Sequence, residues 1–136
     1  TSDVSSSFSR MLEFFPLEEH GFIRSALSTS LQAIMAQKLL PTTEGFEVDV
    51  VPATEVLLNN PTVQDKIRDG EEEDIPAVIN SSRSEGMMSF THSLKEIVDK
   101  EWVDRPTALL HAPNREALES ALRGVEVKSQ TLVGRG

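Results

Sequence analysis

A mostly helical α/β chain with one short β element is what this sequence predicts, and three observations carry the prediction. Apolar residues recur at helical spacing early in the chain, as Val4, Phe8, Met11, Leu12 and Phe15, then Ile23, Leu27, Leu31 and Ile34. A single β-branched and apolar run with little helical period lies between Val48 and Leu58. Beyond it, Pro, Gly, Asn and Asp cut the remainder into short helical lengths.

Ser2 or Asp3 suits the N-cap of the first helix, and Pro16 ends it. Glu18 and Glu19 fit the opening turn of a second helix. Its stripe (Ile23, Leu27, Leu31, Ile34) predicts helix up to the stop at Pro41, with Leu39-Leu40 offering a short partner strand. Thr42 to Gly45 then turn the chain. The strand ending at Leu58 is broken by Pro52, which suits an edge or a bulge. Asn60 caps a helix with Pro61 at its first position, and Gly70 closes it. Asp74 opens another that runs to Gly86, and a longer one follows with Phe90, Leu94, Ile97 and Val98 on one face. Asp104 with Pro106 opens a short helix ended by Pro113. Asn114 opens the last, with Leu118, Ala121 and Leu122 inward and Gly124 as its stop. Residues 125–136, rich in Gly, Ser and charge, read as a flexible tail.

A chain of 136 residues has room for one ordinary domain. Its apolar fraction of 38%, with one Trp and no Tyr, makes the expected core aliphatic and thin. A net charge of -9 argues against non-specific nucleic-acid binding, which depends on Lys and Arg neutralising phosphates. It argues equally against docking on an anionic membrane through overall charge. The absence of Cys excludes a disulfide framework and thiolate chemistry. No apolar run approaches the ~20 residues of a membrane span. The chain opens on Thr1 rather than Met, so the natural start is expected upstream.

ATP hydrolysis needs backbone N–H groups around the phosphates, a Lys on them, a hydroxyl on Mg²⁺ and acids to orient water. None of the seven glycines is followed by Lys, so no phosphate-binding loop of the G-x-x-x-x-G-K-[ST] type occurs. His20, His92 and His111 lie far apart with no second His at i, i+4, and surface or partly buried His is the simpler reading than a metal site. The run Glu71-Glu72-Glu73-Asp74 lacks the alternating ligands of a calcium loop and reads as a solvated turn ending in an N-cap. Asn80-Ser81-Ser82 matches a glycosylation sequon by chance, and Met87-Met88 suits a helix-boundary core contact. No catalytic, cofactor-binding or metal-binding residue is therefore expected.

From Asn59 to Leu94 the chain reads Asn59-Asn60-Pro61-Thr62-Val63-Gln64-Asp65-Lys66-Ile67-Arg68-Asp69-Gly70, an acidic run, Ile75-Pro76-Ala77-Val78-Ile79, and Gly86-Met87-Met88-Ser89-Phe90-Thr91-His92-Ser93-Leu94. It closely resembles the end of the motor domain of the PilT-type pilus-retraction ATPases, members of the hexameric secretion-ATPase superfamily. Thr1-Ser2-Asp3 with Phe14-Phe15-Pro16, Gln37-Lys38-Leu39-Leu40-Pro41, and Ala112-Pro113 with the helix from Glu116 to Leu122 resemble the same family in unbroken order. The family's helix after Asn-Thr-Pro normally reads Ala-Ile-Arg-Asn-Leu-Ile-Arg-Glu and is needed for retraction. Here Thr62, Val63 and Gln64 replace its Ala, Ile and first Arg, and Lys66 stands where Leu is usual, while Ile67, Arg68 and an acid at Asp69 remain. The missing Arg at Gln64 removes a fixed cation, leaving retraction, pilus assembly and type II secretion open.

The resemblance implies that residues 1–124 are the C-terminal part of a RecA-like P-loop ATPase domain, with the Walker A, Asp box, Walker B and His box upstream. It implies a cytoplasmic parent, peripheral to the inner membrane, that uses ATP and Mg. It further implies three partners: the remainder of the same ATPase, neighbouring subunits of a homo-hexamer, and an inner-membrane platform protein. Neither nucleic acid nor membrane insertion is expected. Residues Thr62, Val63, Gln64, Asp65, Lys66, Ile67, Arg68 and Asp69 form the expected partner or intersubunit helix, because their apolar stripe is weak and their polar residues numerous. The competing class is a stand-alone helical interaction module descended from such a motor.

Overall fold

The computed structural model describes residues 3–133, with side chains through Gly124. The chain forms two compact units, one from residues 1–37 and 54–89, the other from 38–53 and 90–136.

The first unit opens with helix α1, Val4–Glu13, capped by Asp3, whose carboxylate accepts from the Ser6 N–H at 2.8 Å while the Ser6 hydroxyl accepts from the Asp3 N–H. Val4, Phe8 and Leu12, one turn apart, are all buried. A 3-10 turn over Leu17–Glu19 leads into α2, His20–Ser30. After strand segments come α3, Pro61–Asp69, a second 3-10 turn over Glu72–Asp74, and α4, Ile75–Ser81. The core gathers Val4, Phe8, Leu12, Leu57, Val63, Ile67, Ile75, Val78, Ile79 and Met87, with Ile23, Leu27 and Leu31 packed against it. Each fully buried aliphatic side chain there contributes about 1.5–3 kcal/mol relative to exposure.

Two strands, β1 at Ala33–Pro41 and β2 at Val50–Leu58, form a two-stranded hairpin. The second helix does not reach Pro41 as its stripe predicts: α2 ends at Ser30, and β1 begins three residues on. Burial along β1 alternates, with Ile34, Ala36, Lys38 and Leu40 on the more covered face. Ala, Met, Gln, Lys and Leu favour helix locally, so pairing with β2 overrides their propensity. The Thr42 N–H donates to the Asp49 carbonyl at 3.1 Å, and the Asn59 N–H to the Gln32 carbonyl at 3.0 Å. Counted in twos from these bonds, residue 52 falls at a position whose nitrogen faces away from β1. Pro52 therefore sits inside β2 without costing a ladder bond. On the same outer edge Val56 exchanges two backbone bonds with Met88, at 2.8 and 3.1 Å.

In the second unit α5, Phe90–Asp99, α6, Arg105–His111, and α7, Arg115–Val133, contact one another pairwise. Phe90, Leu94 and Ile97 are buried on α5, Ala108 on α6, and Leu118 and Leu122 on α7. Asp104 accepts from the Thr107 N–H at 2.8 Å and Asn114 from the Ala117 N–H at 3.0 Å, capping α6 and α7. Thr107 also holds the Asp104 carboxyl below its ordinary value, its hydroxyl first and its N–H second, because both donate to the ionised form. The Lys38 ammonium lies over the Phe90 ring and donates to the His111 carbonyl at 3.3 Å. Two boundaries differ from expectation. The helix from Ile75 breaks at Ser82 into a 3-10 turn over Arg83–Glu85 before Gly86, and α7 continues through Gly124 to Val133. A glycine inside a helix costs about 1 kcal/mol, which flanking helical residues can offset. The side chains of the expected tail, 125–136, and the backbone of 134–136 lie outside the described residues.

Candidate functional site

The helix expected to face a partner is α3, and its ends are fixed by the residues that flank it. The Asn60 side chain accepts from the Val63 N–H at 2.9 Å, Pro61 occupies the first turn where no backbone donor is needed, and Gly70 closes the helix at φ 73. That backbone angle favours glycine, and a Cβ there would meet the Arg24 guanidinium at 3.5 Å. Asn59, just before the cap, donates from its amide to the Ser28 and Leu31 carbonyls at 2.9 and 2.8 Å. The end of α2 is thereby tied to the start of α3.

The eight expected contact residues divide by helical face. Val63 and Ile67, four apart, have no exposed surface and belong to the core, so they are withdrawn from the contact set. Thr62, Asp65, Arg68 and Asp69 are exposed, and Gln64 and Lys66 are half-buried. Arg68 pairs with Asp65 at 3.3 Å within the helix. The weak apolar stripe reflects a short amphipathic helix whose two inward residues suffice to seat it.

The acidic run is where the site departs most from a solvated turn. Lys66 donates to Glu71 at 2.7 Å and to Asp74 at 2.9 Å. Those bonds, to Glu71 first and Asp74 second, raise the ammonium's pKa above its ordinary value. Asp74 spends its carboxylate on Lys66 and makes no side-chain cap to α4. Glu72 pairs with Arg24 of α2. Arg24 also donates to the Ile67 carbonyl at 3.2 Å and stacks over the Phe8 ring at 5.7 Å. One guanidinium thus joins α1, α2, the end of α3 and the acidic turn. No sequence signal singled out Arg24: it sits beside Ile23 in an ordinary amphipathic helix, and its carboxylate lies 48 residues away.

The three histidines remain apart, with His20 bonded to the Phe15 carbonyl at 2.9 Å, His92 3.2 Å from Glu96, and His111 bonded to the Thr107 carbonyl at 2.9 Å. Among the described residues no group of three His, Asp or Glu could hold a metal ion, and no helix is long and apolar enough to cross a membrane.

No family model matches the chain. Individual relatives do. The type IV pilus ATPase PilU of Pseudomonas aeruginosa is 32% identical over 122 residues, 90% of this chain and 31% of its own length. A twitching motility protein of Neisseria gonorrhoeae is 30% identical over 87% of this chain and 31% of its length. The retraction ATPase PilT of Pseudomonas aeruginosa is 30% identical over 79% and 30% respectively. The crystal structure of the pilus retraction motor PilT with bound ADP superposes with a TM-score of 0.75 at 24% identity, over 88% of this chain and 32% of that one. The ATPase DotB of Legionella pneumophila gives a TM-score of 0.63 at 19% identity, over 81% and 29%. These structures share the fold, and the chain spans about three-tenths of the length of the curated relatives it matches. Sequence and fold agree over most of the chain, and it belongs to the PilT-type family of type IV pilus ATPases.

Proposed function

We propose that this chain works as the C-terminal part of a hexameric ATPase motor for type IV pilus retraction or type II secretion, carrying force-transmitting helices rather than the nucleotide pocket. The observation that supports this best is the 32% identity to a pilus ATPase over 90% of the chain, in a sequence with no phosphate-binding loop. On this reading ATP and Mg are held by the remainder of the same ATPase. Residues 1–124 complete its RecA-like domain, and turnover reaches these helices as rigid-body movement between subunits. The exposed face of α3, with Thr62, Asp65, Arg68 and Asp69, meets a neighbouring subunit or an inner-membrane platform protein. A charged face capped at both ends suits such a contact, because it holds its shape while polar pairs form and break across it.

The test is a graft. The 136 residues replace the matching segment of the Pseudomonas aeruginosa PilU ATPase, and Mg-ATP turnover is measured for the chimera and for the isolated chain. The chimera is expected to hydrolyse ATP within about tenfold of its parent, a change of roughly 1.4 kcal/mol in barrier, and the isolated chain not at all. Hydrolysis by the isolated chain would overturn the division of labour. A folded chimera that neither assembles nor turns over would point instead to a separate interaction module.

A further inference from the structure

We propose that the corner between α1 and α2 is a docking surface for a protein segment presenting large apolar side chains flanked by Lys or Arg. A hollow of about 410 Å³ lies there, lined by Met11, Phe14, Phe15, Ile23, Ala26 and Leu27. Its size falls in the range of pockets that take a small ligand or anchoring side chains. Phe14 is 85% exposed, and Leu17 and Phe22, close by in the chain, are 81% and 76% exposed. Scattered exposed apolar residues are ordinary, whereas Phe14 and Phe15, both exposed and both lining one apolar hollow, mark an interaction surface. The corner is set before any partner arrives. The Phe15 N–H donates to the Leu12 carbonyl at 3.0 Å, the Glu19 N–H to the Pro16 carbonyl at 2.9 Å, and His20 to the Phe15 carbonyl at 2.9 Å. A preorganised surface loses little conformational entropy on binding.

Charge selects the occupant. Between Met11 and Ile23 the charged residues are Glu13, Glu18 and Glu19, all exposed, with no Lys or Arg among them. Arg24, the next cation, is turned to Glu72 and the Phe8 ring. Arg10, the preceding one, leaves the corner a net acidic surround in a chain of net charge -9. Three exposed glutamates at the turn that joins the two helices repel anionic lipid headgroups and phosphates and attract a cationic flank, while the hollow takes the apolar anchor. A basic amphipathic helix has both features at i, i+3, i+4 and i+7 spacing.

Two synthetic helical peptides with one Leu pattern, differing only in Lys or Glu at every polar position, are titrated into the isotope-labelled 136-residue chain. The Lys peptide is expected to bind and to shift amides between Met11 and Leu27. Replacing Phe14 and Phe15 together by Ser should weaken it at least about tenfold, equivalent to roughly 1.4 kcal/mol. The pair Glu18→Lys and Glu19→Lys, which leaves the apolar hollow intact, should turn the preference toward the Glu peptide. All four positions are exposed, and unchanged thermal melts establish that the variants fold. Equal binding of both peptides, or shifts spread over other acidic surfaces, would overturn the proposal. So would sedimentation showing self-association through this corner, or binding of the chain to phosphatidylserine vesicles.

Discussion

Replacing Arg24 by Met removes a charge and five donors while keeping most of the side chain's volume, so it isolates what the guanidinium does. Three interactions disappear: the pair with Glu72, the bond to the Ile67 carbonyl, and the stack over Phe8. A charge-assisted hydrogen bond is worth about 1.5–3 kcal/mol, a bond to a backbone carbonyl about 1, and a partly exposed cation–π contact about 0.5–1. The Arg24 and Glu72 side chains are 21% and 14% exposed, so screening discounts the ionic part without erasing it. The expected loss is about 2–3 kcal/mol, which for a chain of this length lowers the melting midpoint by roughly 6–9 °C. Urea unfolding followed by circular dichroism, on Arg24→Met, Glu72→Gln and the double variant, gives the coupling directly. It should be about 1–2 kcal/mol and should survive 0.5 M salt in large part, because a mostly buried pair is poorly screened. A coupling below about 0.3 kcal/mol, the range of an exposed surface pair, would refute the reading of Arg24 as the junction of three helices and the acidic turn.

The two faces of α3 should separate by stability. Ile67→Ala, at a site with no exposed surface, is expected to cost about 2–5 kcal/mol, whereas Thr62→Ala and Asp65→Ala should stay within about 0.5 kcal/mol in the same urea titration. Glu101 holds φ 62, the left-handed region that favours glycine, so Glu101→Gly should raise stability by about 0.5–1 kcal/mol in a thermal melt. Asp104 titrates below the ordinary aspartate value of 3.8 because the Thr107 hydroxyl and, second, the Thr107 N–H at the start of α6 donate to its carboxylate. A depressed folded pKa stabilises the folded state above the unfolded value and loses that effect as pH falls through the folded one. Protection of the Thr107 amide should therefore hold at pH 3.8 and decline only as pH falls further, through the depressed folded value, and Asp104→Asn should remove that pH dependence in an NMR titration.

Much of the site's frame was legible because its determinants are local. Asn60, Asp104 and Asn114 each cap a helix through a bond to a backbone N–H three residues on, and Gly70 ends α3 by a backbone angle it adopts freely. Such contacts depend on neighbours in the chain, so the residue string carries them. The family was equally legible, since its motifs follow one another in unbroken order.

Non-local partners decided the remainder. Residues 33–38 read as helix because Ile34 continues a helical stripe, and only Leu39-Leu40 reads as a partner strand, yet the whole of Ala33–Pro41 pairs as a strand with a segment reached only after a turn. Lys66 looked like a surface residue of a polar helix until the acidic turn folded back on it. Phe15 read as part of a buried face, whereas it lines an open hollow with Phe14. Sequence alone settled where backbone donors find their caps and which lineage the chain joins. Tertiary structure alone settled which apolar faces are covered and which charges meet, because burial and ion pairing are properties of surfaces brought together across long stretches of chain.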